Sequence, residues 1–214
     1  MEENTLTVSK RARYYTLGKL TNKTKSVWIV CHGYGQLSSY FLRNFRVLEN
    51  KETYIIAPEG FHRYYLNGLS GRVGASWMTK EDRLSDISDY VNYLDQLYES
   101  VFTQIERKNV TVNVLGFSQG GATATRWVCQ GTSIIDNLVL WAAVYPPDLN
   151  FEVDTNTLNR LNFKLIIGDD DEFISEETIK KHIKLLTEKG INHELIRYAG
   201  KHKIEPQTLI QLVG

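Results

Sequence analysis

Short apolar runs alternate with amphipathic segments of helical period along this chain, and that alternation restricts the fold more than any other feature. Residues 26–31, 53–57, 110–115, 137–144 and 162–167 are apolar on both faces. They are ended by His32-Gly33, Pro58, Gly116, the Tyr145-Pro146-Pro147 stretch and Gly168. Such runs suit strands of a parallel sheet covered on both sides. Residues 193–198 alternate apolar with polar, which predicts an edge strand, and residues 13–17 add an antiparallel strand at the start. Between the runs, Leu84, Ile87, Tyr90, Val91, Leu94, Leu97, Tyr98, Val101, Phe102 and Ile105 recur at helical spacing as one core-facing stripe. Thr79 with Asp82 three residues on predicts its capped start. Ser175 predicts the cap of a second helix that ends at Gly190, and Pro206 the first turn of a last one. The fold class expected is α/β, a mostly parallel central sheet flanked by helices, as a single domain over residues 1–214.

Composition removes several functions. Lys+Arg and Asp+Glu both number 25, and a net charge of zero argues against a nucleic-acid partner. The longest apolar run, residues 138–145, is too short to cross a bilayer, which takes about 20 residues. The chain opens acidic with no apolar stretch behind it, so no secretory signal is expected. Cys31 and Cys129 lie in apolar surroundings and are too few for a disulfide framework. A cytoplasmic protein with reduced thiols is the expectation.

Gly116-Phe117-Ser118-Gln119-Gly120 follows an apolar strand and leads into a helical segment at 122–130. G-x-S-x-G in that setting is a nucleophile elbow: glycines let strand and helix approach, and the serine stands at the tip of a strained turn. A serine hydroxyl needs a base, and the base an orienting carboxylate, in the chain order Ser, acid, His on an α/β-hydrolase sheet. Three histidines follow Ser118. His182 falls on the charged side of a helix and His193 at the start of the edge strand, both expected at the surface. His202 lies in the loop after that strand, where a base must sit. The acid comes from Asp169-Asp170-Asp171-Glu172, among which the residues alone do not choose. A divalent-cation site is the other reading of that run, but it has no Ca²⁺-loop spacing. His32-Gly33-Tyr34-Gly35 follows an earlier strand, so the Tyr34 N–H is a second oxyanion donor beside the N–H of Gln119. His32 precedes Ser118 and is expected to be structural.

These motifs, with Ala57-Pro58-Glu59-Gly60, Ser76-Trp77 and Gly200-Lys201-His202, resemble the phospholipase/carboxylesterase family of α/β-hydrolases, which includes acyl-protein thioesterases and small bacterial carboxylesterases. The resemblance runs from about residue 25 to 205. It implies Asp171 as the acid, Tyr34 and Gln119 as the oxyanion donors, and Trp77 at an acyl pocket. Two departures stand out: Glu172-Phe173-Ile174, where the family often has a small or proline-containing turn, and Lys201 before the histidine. Residues 58–82 read as an irregular, ring-rich loop, and nothing between Val144 and Phe163 is long enough for a helical lid. The expectation is an open-site serine esterase acting on short- to medium-chain carboxylic esters through Ser118, His202 and Asp171. Neither metal nor cofactor is expected, a small-molecule ester is the partner, and the oligomeric state is left open. Thioester, lysophospholipid or peptide cleavage by the same residues is the alternative. A catalytically silent binding module is the alternative of another class.

Overall fold

A computed structural model describes residues 1–212. Its strands are β1 (Tyr14–Leu17), β2 (Ser26–Cys31), β3 (Thr53–Pro58), β4 (His62–Tyr65), β5 (Val73–Ser76), β6 (Thr111–Phe117), β7 (Asn137–Trp141), β8 (Asn162–Gly168) and β9 (Glu194–Tyr198). Its helices are α1 (Ser38–Phe41), α2 (Arg83–Phe102), α3 (Gln119–Gln130), α4 (Phe151–Asn159), α5 (Glu176–Glu188) and α6 (Pro206–Gln211). Seven strands form one sheet in the order β1-β3-β2-β6-β7-β8-β9, with only β1 antiparallel to its neighbour. This is the mostly parallel α/β sheet expected of the alternating runs, with the α/β-hydrolase fold that the resemblance implies, and β9 lies at the edge as its alternating pattern predicts.

Successive strand residues feed two separate cores, as a two-residue period requires. Val27, Ile29, Val112, Val114, Leu138 and Leu140 pack under α2, α3, α4 and α5. Trp28, Val30, Leu115, Val139, Trp141 and Ile166 face the other way, toward the 3-10 stretch Leu42–Leu48 and α6. The Ser175 hydroxyl accepts from Thr178 N–H at the start of α5, Gly190 takes φ +68° just past its end, and Pro206 opens α6, all as the sequence predicts.

Several elements differ from expectation. Helix α2 begins at Arg83 behind Asp82, a left-handed residue at φ 47° whose side chain makes no cap. The residue that satisfies Thr79 N–H is instead Asp86, from inside the helix. Leu84 is 71% exposed and Ile105 lies beyond the helix, so the buried stripe runs from Ile87 to Val101. The 58–82 segment is not irregular: β4 and β5 pair as an antiparallel hairpin, and Ala75 bridges to Gln36. Residues 151–159, for which no helix is predicted, form α4, capped by the Asn150 side chain. His182 is not a solvated residue of α5. Its ring lies 4.4 Å from Tyr145 and its Nδ1 is buried without a partner among the described residues. Neither thiol is paired, and burial pushes the Cys31 thiol well up and that of Cys129 up to about 12, which suits small buried hydrophobes.

His32 is a structural joint, as expected. Gly60 N–H donates to its Nε2 at 3.0 Å, which leaves the ring proton on Nδ1, 2.8 Å from the Gly33 carbonyl. The ring is fully buried and stacks on Trp77 with centroids 5.1 Å apart. Burial lowers its pKa below the ordinary histidine value, against the upward pull of the Gly33 bond. A proton on Nε2 would also face the Gly60 N–H. The unfolded chain therefore takes up a proton below pH ~6.5 that the folded chain refuses, and stability falls as the pH drops through that point. The melting temperature is expected to fall between pH 7 and pH 5, and to fall less in His32→Gln, whose amide does not titrate; equal falls in both would contradict the assignment.

Candidate functional site

Ser118 stands where β6 turns into α3, at φ 52° and ψ −119°. A non-glycine residue in that region carries roughly 1–3 kcal/mol of backbone strain. The neighbouring glycines explain how the turn closes. A Cβ on Gly116 would strike the Gly120 carbonyl, and one on Gly120 would strike the carbonyls of Cys31 and His32. Ser118 N–H donates to the Trp141 carbonyl at 3.0 Å, and its own carbonyl accepts from Gly121 N–H at 2.9 Å. It occupies the cap position of α3, yet its side chain makes no capping bond. The hydroxyl is thus spared the usual work of a cap serine and sits at the positive end of a twelve-residue helix.

Asp171 and His202 come together across the carboxyl ends of β8 and β9. His202 Nδ1 lies 2.9 Å and 3.1 Å from the two carboxylate oxygens, and Asp171 Oδ1 also accepts from the N–H groups of Phe173 and Ile174. The side chains are 12% and 1% exposed. Of the other acids in the run, Asp169 pairs with Arg197 at 2.8 Å and Asp170 is exposed. The run thus points in different directions, and no group of three or more candidate metal ligands gathers among the described residues. The His202 loop is held from below: the Tyr198 hydroxyl sits 2.7 Å and 2.6 Å from the carbonyls of Lys201 and Lys203, and Trp141 Nε1 donates to the latter.

The His202 ring packs between Phe117, at 5.0 Å, and Phe173, at 4.7 Å. Phe117 immediately precedes Ser118, so the imidazole lies against the elbow. Among the described residues no hydrogen bond joins Ser118 Oγ to His202. Phe173, one of the departures noted above, is 75% exposed and sets its ring, tilted by 60°, against the imidazole.

The turn after β2 closes the third side. A Cβ on Gly33 would lie 3.2 Å from that of Ser118, so the turn passes directly over the serine. The Gly33 carbonyl accepts from His32 Nδ1 and from Gln36 N–H. In a trans peptide the N–H points opposite to the C=O, so holding that carbonyl aims the Tyr34 N–H the other way. Among the described residues neither the Tyr34 nor the Gln119 N–H has an acceptor. Both are free to meet a developing negative charge. The Tyr34 side chain is 62% exposed, its ring 5.4 Å from that of Tyr64.

Trp77 does not line an open pocket. It is 1% exposed, edge-on to Tyr90, and its indole N–H donates to the His32 carbonyl at 2.8 Å. Just past the end of β5 the ring is enclosed by His32 and by Tyr90 of α2, and a bulky side chain at that depth offers a ligand almost no surface.

Sequence reasoning missed three supports of the site. The Gln119 side chain binds Ser76, Trp77 and Met78. Glu59, 2% exposed, gathers Arg13, Arg63 and both donors of Ser38. Buried Arg126 pairs with Asp148, which also holds Arg83. A glutamate or arginine in a mixed segment gives little local signal. The one available hint was Glu59 beside a glycine at a strand end.

The sequence matches the Phospholipase/Carboxylesterase family over residues 18–213. No curated protein matches the chain in sequence. Among solved structures the chain is similar to acyl-protein thioesterase 2 of Zea mays, with a TM-score of 0.71 at 16% identity over 94% of this chain and 96% of that one. It is also similar to a phospholipase/carboxylesterase of Dyadobacter fermentans, with a TM-score of 0.65 at 14% identity over 97% and 96% of the two chains. For the carboxylesterase of Bacillus cereus the TM-score is 0.63 at 13% identity, over 94% and 91%. At such identities these likenesses speak for the α/β-hydrolase fold, while the match over nearly the whole sequence speaks for the family. The chain belongs to the phospholipase/carboxylesterase family of α/β-hydrolases.

Proposed function

We propose that the protein is a serine esterase acting on short- to medium-chain carboxylic esters in one domain. The observation that carries this reading is the Asp171–His202 pair packed on Phe117, beside a strained serine whose hydroxyl makes no cap. In the proposed cycle His202 Nε2 takes the Ser118 proton as Oγ attacks the ester carbonyl, and Asp171 steadies the Nδ1–H and the imidazolium that forms. The N–H groups of Tyr34 and Gln119 receive the oxyanion. Collapse of the tetrahedral intermediate breaks the bond to the alcohol, which leaves with the proton from His202. Water then enters, gives its proton to His202 and releases the acid, and Ser118 recovers its proton.

Between β7 and β8 the described residues form only the nine-residue α4, too little for a helical lid, which favours soluble esters over lipid aggregates. No helix among the described residues is long and apolar enough to cross a membrane. The two unpaired thiols suit a reducing compartment, the cytoplasm.

Hydrolysis of p-nitrophenyl esters should peak at short acyl chains and fall roughly 10⁴-fold or more in Ser118→Ala. Retained turnover in that variant, or a clear preference for acyl thioesters, would overturn the assignment. Ser118→Gly should be equally inactive yet about 1 kcal/mol more stable than Ser118→Ala in denaturant, because glycine accepts φ 52° without strain. Equal stabilities would mean that the turn stores no such strain.

A further inference from the structure

Gln119 does more than follow the serine. Its side-chain carbonyl accepts from Trp77 N–H at 3.2 Å, and its amide donates to Ser76 Oγ at 2.9 Å and to the Met78 carbonyl at 3.1 Å. The Ser76 hydroxyl also lies 2.8 Å from the Met78 carbonyl, so the segment forms a compact strap. From that strap the Trp77 indole reaches the His32 carbonyl, one residue before the Gly33–Tyr34 peptide. The same carbonyl lies hard against Gly120, where a Cβ would strike it at 2.6 Å. The carbonyl is therefore gripped from one side by the indole and from the other by the first turn of α3.

We propose that the Gln119 side chain and the Trp77 indole are positioning residues that set the Tyr34 N–H against the Gln119 N–H. The proposal rests on the acyl-transfer reading given above. One residue supplies a donor from its backbone and, through its side chain and Trp77, holds the turn that supplies the other. Trp77 is buried, so it acts through its neighbours: its indole N–H holds the His32 carbonyl, and its ring stacks on the imidazole that holds the Gly33 carbonyl. Ser76 matters in the same way, as the hydroxyl that Gln119 and Met78 share.

The physical consequence is a separation of binding from turnover. A carbonyl substrate in its ground state is planar and asks little of the two N–H groups, whereas the tetrahedral oxyanion asks for both at once. Loosening the turn should lower kcat and leave KM nearly unchanged. It should also weaken an alkyl boronic acid, in which the Ser118 Oγ–B bond forms as the proton passes to His202 and the boronate presents an oxygen to the same donors. Removing an oxyanion donor outright costs on the order of 10²–10³-fold, so a displaced donor should cost about tenfold.

The test uses Gln119→Met, which keeps length but loses the amide, and Trp77→Phe, which keeps a ring but loses the indole N–H. Each is compared with the wild type and Ser118→Ala for kcat, KM, boronic-acid inhibition and melting temperature. The expected result is a roughly tenfold fall in kcat in each, a matching weakening of the boronic acid, and KM within about twofold. The double variant should lose little more than one single variant, because both break the same strut. Lower melting temperatures with kcat and boronic-acid inhibition unmoved would overturn the strut while leaving the esterase reading intact. So would effects confined to KM. Absence of Ser118-dependent hydrolysis in the wild type would instead remove the reading on which the strut rests, and both would fall together.

Discussion

Everything at this site depends on one close approach, the seating of the first turn of α3 against the ends of β2 and β6. Gly120 lies so near the carbonyls of Cys31 and His32 that no side chain fits between them, and Gly116 lies as near the Gly120 carbonyl. Helix and strands can meet at that distance only through glycine. The contact forces Ser118 into positive φ and draws the His32–Gln36 turn over it. A side chain larger than hydrogen at position 120 would push the turn and the elbow apart together. The strain at Ser118 is the cost of that geometry, carried by a sheet buried on both faces.

The supports around this contact share a habit: buried polar groups spend their bonds on backbone atoms of the loops. His32 holds the Gly33 carbonyl and the Gly60 N–H, Tyr198 and Trp141 hold the carbonyls beside His202, and Gln119 holds the 76–78 strap. Loops at strand ends have few partners within a ladder, and a buried unpaired carbonyl or N–H costs about 1–3 kcal/mol. Satisfying them with side chains fixes the loops at modest expense and leaves few backbone groups over. Among the few left are the N–H groups of Tyr34 and Gln119.

The sheet was legible in the sequence because strands buried on both faces are continuous apolar runs, which few other structures produce. Ser118 was legible because its turn needs glycines at fixed places, and His202 because it falls in the loop where strand order puts a base, whereas Asp171 was singled out of its acidic run only by the family resemblance. Trp77 misled because a ring in a ring-rich segment looks the same whether it lines a pocket or packs beneath a turn. Only the long-range packing of Trp77 on His32 and Tyr90, just past the β4–β5 hairpin, decides between them. Helix α2 started late because the fit of Thr79 and Asp82 to a capping pattern is local, whereas Asp86 reaches back from within the helix to the Thr79 N–H. Long-range bonds such as Gln119 to Met78 leave no periodic trace.

The central claim is that the serine held at positive φ is the nucleophile, with His202 as its base. Treatment with a fluorophosphonate followed by intact mass and peptide mapping tests it most directly, since the reagent bonds far faster to an activated serine oxygen than to an ordinary hydroxyl. The account predicts one adduct per chain, on Ser118, that fails to form in His202→Ala at matched time and dose. An unlabelled chain, or a label on another residue, would contradict it.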